Sequence, residues 1–123
     1  MEQKLVIDGC LPTFNEITNA NRSNRFQGSK QKKEYTDLVT YYCKMQRLKA
    51  FKKQVDVTIT WYMKNKMKDK DNIMAGQKFI FDGLVNARVL KNDGWKELGD
   101  ISHKFRVDKD NERVEIRLKE ISK

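Results

Sequence analysis

Apolar and polar residues alternate most regularly at positions 54–64. Val55, Val57, Ile59, Trp61 and Met63 share one side, and Asp56, Thr58, Thr60, Tyr62 and Lys64 the other. A period of two predicts a half-buried strand. The same reading predicts a first strand over 3–8, with Leu5 and Ile7 on one face. It predicts a third over 101–107 with Ile101, His103, Phe105 and Val107 inward, and a last strand carrying Val114, Ile116 and Leu118. The turn residues 108–111 between the last two predict a hairpin. Elsewhere the period lengthens to three and four. Tyr35, Leu38, Tyr42, Met45 and Leu48 form a stripe that predicts a helix over 30–52. Ile73, Ile80 and Leu84, widened by Met74, Phe81 and Val85, predict a helix over 72–88, ended by the turn Lys91-Asn92-Asp93-Gly94. Residues 9–29 show no period and are expected to form a long polar loop, a length that usually signals function or disorder.

The predicted order is β-α-β-α-β-β. Strands with one polar face make this an α+β fold: a mixed sheet of about four strands with two helices packed on its apolar face. With 123 residues and no repeat, low-complexity stretch or linker, one domain over 1–123 is expected. Six Phe, four Tyr and two Trp are too many for a disordered chain. No apolar run approaches the roughly 18 residues of a membrane helix, and the first ten residues lack a signal-peptide core. Two cysteines, Cys10 and Cys43, make neither a disulfide framework nor a metal motif.

Charge adds a partner class. The net charge is +9, and it is uneven. Arg22, Arg25, Lys30, Lys32, Lys33, Lys44, Arg47, Lys49, Lys52 and Lys53 meet only Glu34 and Asp37 over the same stretch. An intracellular protein with a phosphate-facing side fits this asymmetry, as does a solvated helix surface for any single lysine.

Three stretches can carry chemistry. Asp69 and Asp71 leave the strand at 54–64 two residues apart, so in extended backbone they point the same way. Two such carboxylates repel unless a cation or proton lies between them, and a hard divalent cation prefers oxygen ligands. The alternative is that Asp71 is a helix N-cap and Asp69 a surface charge. On the helix, Asp71, Ala75, Lys78 and Asp82 fall in one stripe opposite Ile73, Ile80 and Leu84. Lys78 there is either an ordinary partner of Asp82 or a cation for a phosphate. Asp93 is a turn former, or a third carboxylate if residues 89–93 double back or a second subunit supplies it. His103, on an apolar face, reads as structural. One His and no suitable Ser or Cys setting argue against a Ser-His-Asp hydrolase, and no phosphate-loop pattern occurs.

The segment Asp69-Lys70-Asp71-Asn72-Ile73, then Lys78-Phe79-Ile80-Phe81-Asp82-Gly83-Leu84, then Val89-Leu90-Lys91-Asn92-Asp93, resembles the RusA family of Holliday junction resolvases. Leu11-Pro12-Thr13-Phe14-Asn15 is similar to that family's Pro-x-x-Asn loop. The spacing from Asp71 to Lys78 is longer than in the family pattern, and Asn92-Asp93 stands where the family has an acidic pair. The resemblance implies a small dimeric endonuclease that resolves four-way DNA junctions with Mg2+, or Mn2+ in its place. It implies Asp69, Asp71 and Asp93 as metal ligands and Lys78 as the essential lysine. It also implies that the segment after the helix returns to the Asp pair.

Asn15, Arg22, Arg25, Lys66 and Lys68 are then the expected nucleic-acid contacts, binding phosphates without reading bases. Phe14, Phe26 and Trp95 are candidate junction wedges, each also a candidate core residue. A homodimer is expected, because a two-fold protein places two identical sites on a two-fold substrate. The setting implied is the cytoplasm of a bacterial or phage-infected cell, with no membrane partner. A non-catalytic DNA-binding protein, a protein-interaction domain, and a nuclease for flaps or forks are the competing functions.

Overall fold

The computed structural model describes residues 1–121. Its sheet is built around β2 (Val55–Met63), whose burial alternates residue by residue as its sequence does. On one side β2 pairs antiparallel with β4 (Arg113–Glu120), and β4 pairs antiparallel with β1 (Glu2–Asp8). On the other side β2 pairs parallel with β3 (Leu98–Val107), giving the order β1-β4-β2-β3. The register sets Ile116 opposite both Leu5 and Ile59, and Val114 opposite both Ile7 and Trp61. Buried apolar rows therefore run across three strands. The mixed four-stranded α+β sheet is as the sequence predicts.

The hairpin is not. β3 and β4 run antiparallel, but β2 lies between them. The reason is burial. β4 carries Val114, Ile116 and Leu118, all fully buried, and takes an interior place. β3 has only His103 and Phe105 half-buried on the face predicted to point inward, with Ile101 and Val107 exposed, and it stays at the edge. The connection crosses the end of β2. Asp108 N donates to Met63 O at 2.8 Å, and Arg113 Nη1 holds Asp108 Oδ2 at 2.8 Å and Asn111 O at 3.0 Å.

Residues 9–29 are mostly helical rather than a loop. α1 (Phe14–Ser23) and α2 (Arg25–Met45) meet at the extended residue Asn24. Thr13 caps α1: its Oγ1 accepts from Glu16 N at 3.5 Å and donates to Glu16 Oε1 at 3.0 Å, the Thr-x-x-Glu capping spacing. Asn24 Oδ1 caps α2 by accepting from Gln27 N at 2.7 Å. α1 fully buries none of its residues, so it leaves no apolar period to read.

α2 stops at Met45, short of the predicted 52. Arg47 adopts a left-handed φ of 58°. Leu48 N then reaches Cys43 O at 3.0 Å and Arg47 N reaches Lys44 O at 3.1 Å, which is a Schellman termination without its usual glycine. The buried residues of α2 are Val39, Thr40 and Cys43. That face is rotated from the predicted stripe, and Met45 is exposed.

The predicted helix 72–88 is two helices, α3 (Lys70–Met74) and α4 (Gln77–Asn86). Gly76 sits at the join. A Cβ there would meet Leu11 Cβ at 3.0 Å and Trp61 Cη2 at 3.1 Å. Close approach to the core thus favours glycine, and tighter three-residue hydrogen bonds carry the chain through the join. Trp61 Nε1 donates to His103 Nδ1 at 2.9 Å, leaving Nε2–H for Gln77 Oε1 at 3.2 Å. His103 is therefore structural: it fixes the start of α4 to the sheet. α4 packs against α2 at Gly83, where a side chain would collide with Val39. Asn86 Nδ2 donates to Thr40 Oγ1 across the same contact at 3.1 Å. Among the described residues no helix is long and apolar enough to cross a membrane.

Candidate active site

Asp69 and Asp71 open on a cavity of about 880 Å³ formed where β2 runs into α3, beside the end of β3. Asp69 stands at the N-cap position of α3 with extended backbone, yet its side chain makes no capping bond. Asp71 lies inside the first turn, so it is not the cap; its Oδ1 accepts from Asn72 N at 2.9 Å. The capping alternative for Asp71 therefore fails. Lys66, Lys68, Lys70 and Arg106 line the same cavity, and the Lys70 ammonium lies 5.5 Å from the Phe105 ring centroid. Two carboxylates thus sit in a rim of four cations.

α1 is tied to this cavity. Asn72 Oδ1 accepts from Asn15 N at 3.0 Å, and Lys68 Nζ lies 3.6 Å from Glu16 Oε1. The Leu11–Asn15 loop, with Leu11, Pro12 and Thr13 buried, therefore sets the Asp69–Asn72 segment in place.

Lys78, Asp82, Asn92 and Asp93 line a different cavity, of about 570 Å³, between α2, α4 and the turn that follows α4. Lys78 Nζ is 3.2 Å from Asp82 Oδ1. Asp82 Oδ2 and Thr36 Oγ1, both in this cavity, are buried and have no hydrogen-bond partner. Leaving such atoms unpaired costs about 1–3 kcal/mol each, so the cavity is polar and incompletely satisfied. Asn92 Oδ1 accepts from Asp93 N at 2.8 Å, a bond to its own neighbour that occupies the Asn92 side chain locally.

The two cavities share no lining residue. The break at Ala75-Gly76 divides the predicted stripe Asp71, Ala75, Lys78, Asp82 between two helices. Among the described residues no group of three His, Cys, Asp or Glu is close enough to hold a metal. One chain therefore does not bring Asp93 to Asp69 and Asp71, contrary to the return of the turn that the resemblance implies.

Other nucleophiles are poor. Local desolvation and the Glu112 carboxylate 3.0 Å away push the Cys10 thiol up to about 11, and burial pushes Cys43 up to about 12. Neither supplies thiolate near neutral pH.

The family profile described as Endodeoxyribonuclease RusA matches residues 11–119. The chain belongs to the RusA endodeoxyribonuclease family. No curated protein matches it. The matched span takes in the Leu11–Asn15 loop, both cavities and all four strands except β1 and the last residue of β4.

Within this RusA-family chain, Arg22 and Arg25 flank the α1–α2 junction, exposed and without an ion-pair partner among the described residues. Lys66 and Lys68 stand at the first cavity with Asn15 beside it. Sequence reasoning missed Lys70 and Arg106 at that cavity, and Asn86 at the second. The spacing of four between Lys78 and Asp82 was the available signal for their shared cavity.

Proposed function

We propose that this chain is a divalent-metal-dependent endonuclease that cuts four-way DNA junctions by phosphodiester hydrolysis. The observation that carries the reading, with the family membership, is the Asp69–Asp71 pair. Two carboxylates, Asp69 without a capping bond and Asp71 engaging only the Asn72 amide, face one open cavity ringed by Lys66, Lys68, Lys70 and Arg106. Hard oxygen donors fit Mg2+, which is commonly held by one or two carboxylates together with phosphate oxygens and water; Mn2+ fits the same donors. A bound cation there would supply charge stabilisation for the developing phosphorane and an acidified water. Asp69 and Asp71 would hold it, and the surrounding cations would draw the scissile strand in and neutralise its flanking phosphates.

Asp93 and Lys78 complete the set if a second copy presents them, so the active form is a homodimer whose sites each take residues from both chains. A two-fold protein then meets a two-fold junction with two equivalent cuts. Lys78 suits its role because its own side chain is largely exposed while it lies 3.2 Å from the part-buried Asp82, so its ammonium can meet a phosphate without leaving the cavity. Arg22, Arg25, Lys66, Lys68 and Asn15 hold backbone phosphates around the branch.

The test is cleavage of labelled four-way junction, linear duplex and flap DNA, with Mg2+, with Mn2+ and with chelator. Metal-dependent cutting of the junction in preference to duplex is expected. Binding without cutting would make the chain a DNA-binding protein, and preference for the flap would reassign the substrate.

A further inference from the structure

The turn that carries Asp93 runs on into the most exposed aromatic residue of the chain. Trp95 is 96% exposed, an unusual setting for a residue type that is highly buried on average. Its backbone is stiff. Glu97 N and Leu98 N donate to Gly94 O at 3.2 and 3.0 Å, and Val55 N donates to Glu97 O at 2.9 Å. Gln54 Nε2 donates to Trp95 O at 2.9 Å and to Leu98 O at 3.3 Å. The segment is thus pinned to the start of β2.

Next to it lies a cavity of about 410 Å³ lined by Lys52, Lys53, Lys91 and Lys96, with Glu97 the single acid in the lining. None of the four lysines forms an ion pair among the described residues. Glu120 accepts from the backbone N–H groups of Lys52 and Lys53, at 3.3 Å each.

We propose that Trp95 is a base-stacking platform for an unpaired nucleotide at a DNA branch, with Lys52, Lys53, Lys91 and Lys96 holding the phosphates beside it. The inference rests on the endonuclease reading and adds to it the element that tells a branch from continuous duplex. Charge decides the partner: four lysines lining one cavity, with no ion pair among the described residues and the last of them next to Trp95 in the chain, match a polyanion. The indole decides the form of that polyanion, because a base offers its face only when it has left the helical stack. Position ties both to cutting. Trp95 is two residues from Asp93, at most about 7 Å along the chain, and a duplex strand carries one phosphate per roughly 3.4 Å of helix axis. The stacked base therefore lies within a few nucleotides of the phosphate at the site that Asp93 completes.

The experiment measures binding of the full-length protein, Trp95→Ala and Trp95→Phe in chelator. The probes are a four-way junction, a duplex of the same sequence and an oligo-dT strand. Trp95→Ala is expected to weaken junction and oligo-dT binding by about 5- to 150-fold, the range for base–aromatic stacking, with duplex binding within about twofold. Trp95→Phe is expected to retain most of the affinity. Junction binding by Trp95→Ala within twofold of wild type would overturn the proposal, as would an equal loss on duplex. Conversion of a wild-type dimer to monomer by Trp95→Ala in sedimentation would overturn it by making Trp95 a contact between copies. Wild-type protein that binds no junction would remove the endonuclease reading as well. Wild-type cutting undiminished in Trp95→Ala would remove this inference alone.

Discussion

Replacing Gly83 by Ala tests how tightly α4 must lie against α2, and the two contributions oppose each other. Alanine is the better helix former by about 1 kcal/mol. At position 83, however, an ideal Cβ would overlap Val39 Cβ and Cγ1 and lie 3.2 Å from Thr40 N. A valine Cβ is fixed by its backbone, so no rotamer change removes the clash; the helices must move apart. Overpacking of this kind costs about 1–3 kcal/mol. Separation also stretches the Asn86–Thr40 hydrogen bond of 3.1 Å, which contributes about 1 kcal/mol. The expected net loss is about 1–3 kcal/mol, or roughly 4–15 °C in Tm for a chain of this size. Urea and thermal melts followed by circular dichroism measure it. Adding Val39→Ala gives the added methyl room, so the double variant should be less destabilised than the sum of the singles by about 1 kcal/mol or more. A rise in Tm for Gly83→Ala alone would show that the helices do not meet as described. Because Lys78 and Asp82 ride on α4, the same change is expected to slow cleavage in protein that is still folded.

Arg88→Gly is expected to stabilise the protein by about 0.5–1 kcal/mol, since Arg88 ends α4 at a left-handed φ of 62° that costs a non-glycine residue about 1–2 kcal/mol; a lower melting temperature would refute the termination. His103 is half-buried, and that desolvation holds its pKa below the ordinary 6.5. The unfolded chain therefore takes up the proton first, so this contribution is complete above pH 6.5 and is lost as pH falls below it. Urea midpoints should fall between neutral pH and mildly acid pH in wild type and stay flatter in His103→Gln; equal slopes would refute the role. The carboxyls of Asp108, held low by Arg113, and Glu115, held low by Lys4 and Arg113, act in the same direction in a lower window: their stabilisation is lost as pH falls through the ordinary carboxylate range and below it.

The strands were legible because the core of this protein is a sheet face. Val55, Val57, Ile59 and Trp61, and again Val114, Ile116 and Leu118, are buried alternately as their period demands. Pairing was less legible: nothing local in residues 108–112 says that the chain must step across β2 instead of turning back beside β3. α1 was hidden because it buries little, although Thr13 and Glu16 carried its capping signal. The end of α2 was hidden because Arg47 occupies a left-handed position that usually announces itself as glycine. At the candidate site, Asp69 and Asp71 were readable from their spacing, and the structure places them together. The partition of Asp93 and Lys78 into a second cavity was not readable. It goes with the break at Gly76, where the join of α3 and α4 lies close against Leu11 and Trp61.

The central claim is that metal-dependent cutting needs Asp69 and Asp71 from one chain and Asp93 from another. Mixing two inactive variants tests it most directly. Asp71→Asn and Asp93→Asn proteins, each folded by thermal melt, are exchanged into mixed dimers and assayed on a labelled junction with Mg2+. If the sites are shared between chains, a mixed dimer carries one site with both substitutions and one with neither. The mixture should then nick a single strand at about a quarter of the wild-type rate, with each variant alone inactive. If all three carboxylates act within one chain, every site in the mixture carries a substitution. A mixture that stays inactive after exchange is verified would contradict the shared site.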